Sequence, residues 1–138
     1  MFARSVLFLA ACAALAQQWT PELSMKVANL GAVTTSNGWV AWTESRWVYD
    51  REKSEQDTQV MVARADGSAR RSLGKGSAPA ISGDHVYFRQ NGVILRAPLA
   101  GGDSQRVLEW RGAMGTFAVS PSGKWIAFTG REPDSERE

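Results

Sequence analysis

Asn37-Gly38-Trp39-Val40-Ala41-Trp42-Thr43 is the stretch on which the fold turns. A turn-forming pair opens it, and bulky apolar residues then alternate with small or polar ones, as in a half-buried strand. The same unit returns as Gly83-Asp84-His85-Val86-Tyr87-Phe88. It returns again as Ser122-Gly123-Lys124-Trp125-Ile126-Ala127-Phe128-Thr129. Aligning Val40, Val86 and Ile126 gives intervals of 46 and 40 residues. That period matches the ~40–45 residues of a four-stranded propeller blade.

Working outward, the gaps between these strands are filled in a consistent order. Thr58 to Arg64 alternates, Asp66-Gly67-Ser68 turns, and Ala69 to Leu73 returns. In the second unit Asn91-Gly92 signals a tight hairpin, predicted as a type I′ turn in which both central residues take positive φ. Val93 to Ala97 follows, then Gly101-Gly102-Asp103 and Gln105 to Leu108. Short leading strands are expected around Ala32–Thr35, Ala78–Ile81 and Thr116–Val119. Four strands joined by hairpins describe an up-and-down blade. After Thr129 the sequence Gly130 to Glu138 carries no side chain of the kind a strand buries, so the third unit is expected to be truncated. The expected fold is therefore all-β: a partial β-propeller of two complete four-stranded antiparallel blades and half of a third. The blades are placed at about 30–73, 74–110 and 111–138. A closed ring needs at least ~4 blades, so further blades are expected as partners. A β-sandwich built from the same strands is the competing architecture, and the regular spacing weighs against it.

The composition agrees with strands. Among 138 residues there are thirteen Gly and six Trp, with many Val, Thr and Phe between turn signals. Sixteen Lys and Arg against 14 Asp and Glu give a formal charge of +2, with the signs interspersed. No basic stripe tracks one face, which argues against nucleic-acid and membrane-surface binding.

The first residues read as an export signal over 1–16. Arg4 supplies a positive start, Ser5 to Ala16 is small and apolar, and Ala14-Leu15-Ala16 offers a small-x-small cleavage pattern before Gln17. The run is shorter than the ~18–20 residues of a membrane span, so no stable span is expected. The expected location is periplasmic or extracellular, with residues 17–29 as a leader. Leu9-Ala10-Ala11-Cys12 resembles a bacterial lipobox, which makes lipidation at Cys12 the alternative. Cys12 is the only cysteine, so the mature body is left with no disulfide and no thiolate for a metal.

No chemistry-bearing motif emerges, and the expected catalytic, cofactor and metal residues are none. No serine sits in a G-x-S-x-G elbow; Gly76-Ser77 and Gly102-Asp103-Ser104 come nearest, in expected loops. His85 is the lone histidine, at a strand start, where a surface role is commoner than a catalytic one. Gly74-Lys75 and Gly123-Lys124 lack the residues of a phosphate loop. Trp39, Trp42 and Trp125 fall on the repeated strand and are expected between blades, while Trp47 and Trp110 stand at strand ends. The stretch from Tyr49 to Asp57, with Asp50, Glu52 and Glu55, is expected to form a protruding hairpin that contacts a neighbouring domain or substrate. The ligand spacing of a calcium loop is absent from it.

Ser120-Pro121-Ser122-Gly123-Lys124-Trp125-Ile126-Ala127-Phe128 resembles the S-P-D-G-K-x-I-A-F repeat of TolB-like proteins and of prolyl-oligopeptidase-family serine peptidases. Trp19 to Val27 and Gly31-Ala32-Val33 resemble the start of secreted dipeptidyl or acylaminoacyl peptidases. So do Lys53-Ser54-Glu55, Thr58-Gln59-Val60 and Ala65-Asp66-Gly67-Ser68. The resemblance implies a propeller that filters peptide substrate for a C-terminal α/β-hydrolase domain carrying Ser, Asp and His. That domain is expected to be missing from these 138 residues, and no position matches its catalytic residues. Asn37 and Ser122 replace the usual Asp, and Gly83-Asp84 inverts the usual order. A TolB-like periplasmic binding module and a non-functional gene fragment are the alternatives. Sequencing of the exported protein is expected to begin at Gln17; a lipidated Cys12 at the N-terminus would show the other processing route.

Overall fold

The computed structural model describes residues 26–133. The export signal, with Cys12, Ala14, Ala16 and Gln17, lies outside the described residues, as do most of the leader and residues 134–138. The elements that lie wholly among the described residues are strands: β1 (Asn29–Ser36), β2 (Trp39–Tyr49), β3 (Ser54–Arg64), β4 (Arg71–Lys75), β5 (Ser77–Ser82), β6 (His85–Gln90), β7 (Val93–Pro98), β8 (Gln105–Glu109), β9 (Ala113–Val119) and β10 (Ile126–Arg131). They form two four-stranded sheets, β1-β2-β3-β4 and β5-β6-β7-β8, and a two-stranded sheet of β9 and β10. All pairings are antiparallel between sequence neighbours.

The turn residues show why the hairpins form where they do. Asn37 and Gly38 both have positive φ, 50° and 76°, which the two-residue connection from Ser36 to Trp39 requires. The turn at Asn91-Gly92 differs from the sequence expectation. Asn91 has φ 55°, but Gly92 lies outside the left-handed region. Its glycine is required by close packing instead. A Cβ there would stand 2.4 Å from the Trp110 carbonyl oxygen, and the Trp110 amide donates to the Gly92 carbonyl at 2.8 Å.

The register carries a second repeated device. In β1 the pairing with β2 breaks between Gly31 and Thr34, with Ala32 at φ 45°. In β5 it breaks between Ser77 and Ala80, with Ala78 at φ 52°. The β9–β10 pairing breaks between Phe128 and Gly130. The outer strands β4 and β8 meet their neighbours across similar breaks, at Val60/Met61 and Ile94/Leu95. These are β-bulges, which bend a strand and sharpen its twist.

The core lies between the two four-stranded sheets. Ala41, Val60 and Val62 of the first sheet pack with Val86, Phe88 and Ala97 of the second, all at 0% exposure, and with Leu99. Trp39, Leu73, Ile81 and Leu95 close the cluster at its rim. On β6 three consecutive residues, Val86, Tyr87 and Phe88, are buried, so both faces of the second sheet are covered at that strand. The two polar residues buried in the packed sheets, Thr43 and Ser82, are satisfied, whereas Arg71 Nε and one Asp57 carboxylate oxygen are buried without a hydrogen-bond partner among the described residues. The Thr43 hydroxyl donates to the Gly31 carbonyl at 2.8 Å, and the Ser82 hydroxyl to the Ser120 carbonyl at 2.7 Å.

Arginines bridge successive sheets. Arg71 on β4 donates to the carbonyls of Pro98 and Gly102 beside β7, and Arg89 on β6 donates to those of Met114 and Gly115 on β9. Trp125 departs from expectation. The β9–β10 hairpin closes through Ser120 N–H to Trp125 C=O at 2.9 Å, so Trp125 belongs to a six-residue loop and is 77% exposed.

Two substitutions check this packing by urea denaturation. Phe88→Ala is expected to cost about 3–5 kcal/mol, through the cavity left between sheets. Gly92→Ala is expected to cost about 1–3 kcal/mol, through collision with the Trp110 backbone. Both should shift the midpoint.

Candidate functional site

Strands β2 and β3 are each 11 residues long and pair without a break from Trp39–Arg64 to Tyr49–Ser54. Their neighbours are shorter. β1 reaches only to Ser45, and β4 only to Gln59. Four residue pairs, from Arg46–Asp57 to Tyr49–Ser54, therefore continue as a two-stranded ribbon, about 13 Å at ~3.3 Å per residue. Asp50 and Lys53 close its tip by reciprocal backbone hydrogen bonds of 2.9 and 3.3 Å. The charged stretch from Tyr49 to Asp57 thus has a short turn, and from Ser54 onward it is strand.

The ribbon carries Trp47, Val48 and Tyr49, all about half exposed, with the Trp47 and Tyr49 rings 6.5 Å apart on one face. Asp50 turns its carboxylate back onto the Arg51 amide at 2.6 Å, and Glu52 and Glu55 are exposed. Asp57 behaves differently from the four residues grouped with it in sequence. Its carboxylate accepts from the Gln59 amide at 2.9 Å and stands 3.6 Å from the Lys75 ammonium, with its side chain 24% exposed.

Asp57 belongs to a polar groove of about 570 Å³ on the outer face of the first sheet, lined also by Glu44, Arg46, Gln59, Met61, Arg70 and Ser72. Glu44 is its hub. Its carboxylate pairs with the Arg70 guanidinium, lies 3.7 Å from Arg46, and accepts from the Trp42 indole at 3.1 Å. The Ser72 hydroxyl donates to the Gln59 side-chain oxygen at 2.9 Å. Sequence reasoning missed these residues because they come from three strands and, in Arg70, from the β3–β4 connection, and the strand residues meet through the register pairs Glu44–Gln59, Arg46–Asp57 and Met61–Ser72. The available signal was the change along β2, where Val40 and Trp42 give way on the same face to Glu44 and Arg46.

The lone histidine has a local role. His85 Nδ1 lies 2.7 Å from an Asp84 carboxylate that is 92% exposed. Ser82 is the register partner of His85, but its hydroxyl is committed to the Ser120 carbonyl and lies within 3.3 Å of that of Pro121. This trio therefore stabilises the hairpin end, and its serine is not presented as a nucleophile. In the β3–β4 turn, Ser68 donates through its hydroxyl (2.6 Å) and amide (2.9 Å) to Asp66, which holds that carboxyl below its usual range. Among the described residues no group of three His, Cys, Asp or Glu side chains is placed to hold a metal ion. No helix among them is long and apolar enough to cross a membrane.

No protein-family model matches the sequence, and no curated protein sequence matches it. Solved structures do resemble the fold. An acylaminoacyl peptidase from Pyrococcus horikoshii superposes with a TM-score of 0.72 at 20% identity, over 88% of this chain and 20% of that one. An acylaminoacyl peptidase in complex with Z-Gly-Gly-Phe-chloromethyl ketone gives a TM-score of 0.72 at 18% identity, over 87% of this chain and 20% of that one. The chain spans about a fifth of the length of each. Its successive antiparallel sheets share the propeller-like, all-β fold found within those peptidases.

Proposed function

We propose that this chain is the propeller segment of an exported serine peptidase of the prolyl-oligopeptidase kind. The carrying observation is the shared arrangement of sheets over 88% of the chain with an acylaminoacyl peptidase. In this reading the two four-stranded sheets are complete blades, and β9 with β10 is the first half of a third. The catalytic Ser, Asp and His belong to an α/β-hydrolase domain outside these 138 residues, and the segment itself catalyses nothing. Its work is to gate and position peptide substrate for acyl transfer.

The physical basis for gating is steric. A stack of sheets tied together by buried apolar contacts and arginine bridges forms a stiff wall, and a peptide must pass such a wall in an extended or unfolded state. The β2–β3 ribbon is the part that reaches beyond the wall, and its aromatic face is where contact with substrate or hydrolase domain takes place. Trp47 and Tyr49 offer large, stiff surface at small entropic cost, which suits such a contact.

Two experiments test the reading. The reading frame downstream of the Glu138 codon is expected to encode further repeats and a G-x-S-x-G elbow; repeats alone would favour a binding module. In that parent enzyme, Trp47→Ala with Tyr49→Ala is expected to lower kcat/KM for long peptides about tenfold, some 1.4 kcal/mol, and to leave short ester reporters unchanged. Equal loss on both substrates, or none on either, would remove the ribbon from substrate selection. The 138-residue chain by itself is expected to turn over neither amide nor ester reporters.

A further inference from the structure

The chain contains three asparagines, and two of them, Asn37 and Asn91, are followed by glycine. Each dipeptide fills a two-residue loop, one between the register partners Ser36 and Trp39, the other between Gln90 and Val93. The two loops nevertheless turn differently. Asn37 and Gly38 both have positive φ, 50° and 76°, which defines a type I′ turn. In the other loop only Asn91 does, at φ 55°, and positive φ at the first central residue alone defines type II′. The Gly83-Asp84 loop between Ser82 and His85 has that same form, with Gly83 at φ 60°. Type II′ ordinarily takes glycine in its first position, and Asn91 puts an L-side chain there.

In a type II′ turn the first central residue has ψ near about −120°, the mirror image of type II. For an L-residue that angle swings the next amide nitrogen to the side of the Cα–C bond on which Cβ stands. The Gly92 nitrogen is thereby set beside the Asn91 side chain, poised to close a five-membered ring on its Cγ. In type I′ the angle is about +30°, and the Gly38 nitrogen is turned away from the Asn37 side chain. Packing holds the second loop in its form. The Trp110 amide donates to the Gly92 carbonyl at 2.8 Å, and the Trp110 carbonyl oxygen stands 2.4 Å from where a Gly92 Cβ would be. The Gly38 carbonyl is likewise held, by the Ala65 amide at 2.8 Å, but nothing lies within 4 Å of a Gly38 Cβ. Asn91 itself is exposed to water. The acidic counterpart Asp66-Gly67 has neither reactant free. Its Gly67 amide donates to the Arg64 carbonyl at 2.8 Å, and its carboxylate accepts from Ser68.

We infer that Asn91 is a site of self-modification, at which the Gly92 nitrogen closes on the Asn91 side chain and converts it to a mixture of isoaspartate and aspartate. Loss of the Gly92 amide proton to hydroxide frees the electron pair that forms the N–Cγ bond. The Cγ–Nδ2 bond breaks, and that nitrogen takes up a proton and leaves as ammonia. Water then opens the succinimide. Addition at Cγ restores the ordinary chain with an aspartate. Addition at the backbone carbonyl carbon leaves the chain running through the former side chain, one methylene longer, and no longer matched to a two-residue turn. Either product exchanges a neutral amide for a carboxylate at the tip of the β6–β7 hairpin. The reaction requires the folded chain and water alone and does not depend on the peptidase reading.

Peptide mapping by mass spectrometry of the chain aged in mildly alkaline buffer tests this, with isoaspartate read by enzymatic methyl transfer. In the folded chain Asn91 is expected to convert about tenfold faster than Asn37, which must first flip its turn into a less favoured form. In guanidinium chloride, where neither turn persists, the two rates are expected to converge. Asn91→Gly gives the loop the residue that Gly83 supplies in its own. That variant is expected to keep its strands by far-UV circular dichroism and to lose most of the ammonia release. An Asn91 that stays intact in the folded chain, or that converts no faster than Asn37, would overturn the proposal. A rate ratio that persists in guanidinium chloride would equally overturn it, by assigning the difference to neighbouring side chains and not to the turn. So would ammonia release undiminished in Asn91→Gly.

Discussion

A β-sheet with one apolar face is stable only where something covers that face, and this molecule is organised around that requirement. The burial of Val86 and Phe88 against Ala41, Val60 and Val62 is the contact on which the rest depends. Full burial of side chains of this size stabilises by about 1.5–3 kcal/mol each. Without it neither four-stranded sheet has an interior, since each alone is a single layer with water on both sides. The cover is supplied by the next sheet in sequence, so one rule, repeated, builds the described structure.

Packing alone leaves the ends of adjoining sheets with carbonyl groups that need donors. Arg71 and Arg89 meet that need with guanidinium groups reaching from one sheet to backbone oxygens of the next. Arginine suits the task because its planar fork presents several donors in fixed directions and is weakly hydrated for a cation. The Ser82 hydroxyl does the same on a smaller scale at the β9–β10 loop. Apolar burial thus brings the sheets together, and these polar bridges fix how they are aligned.

Much of this was legible in the residues. The recurrence of Trp39–Thr43, His85–Phe88 and Ile126–Thr129 located the second strand of each sheet, because alternation and turn pairs are local properties. Other features depended on tertiary context. Gly92 reads as half of a left-handed turn, but its missing side chain makes room for Trp110, a contact that spans 18 positions. Trp125 reads as a strand residue, yet the Ser120–Trp125 closure leaves it in solvent. The ribbon was visible as a charged stretch, while its length followed from where β1 and β4 stop. The groove around Glu44 had no linear signature, since register alone assembles it.

The bulges bear on how such a chain behaves among its neighbours. Of the six edge strands among the described residues, β1, β4, β5, β8 and β9 each carry an extra residue in their pairing, and β10 does not. An edge strand that is flat and regular is a template on which foreign strands can add, and successive additions lead to fibrils. Here an incoming strand would find its partner's donors and acceptors out of step after a few residues. Ala32 and Ala78 hold a conformation that costs an L-residue about 1–2 kcal/mol. That strain is the counterpart of a chain rich in strands whose margins resist being zipped into larger sheets.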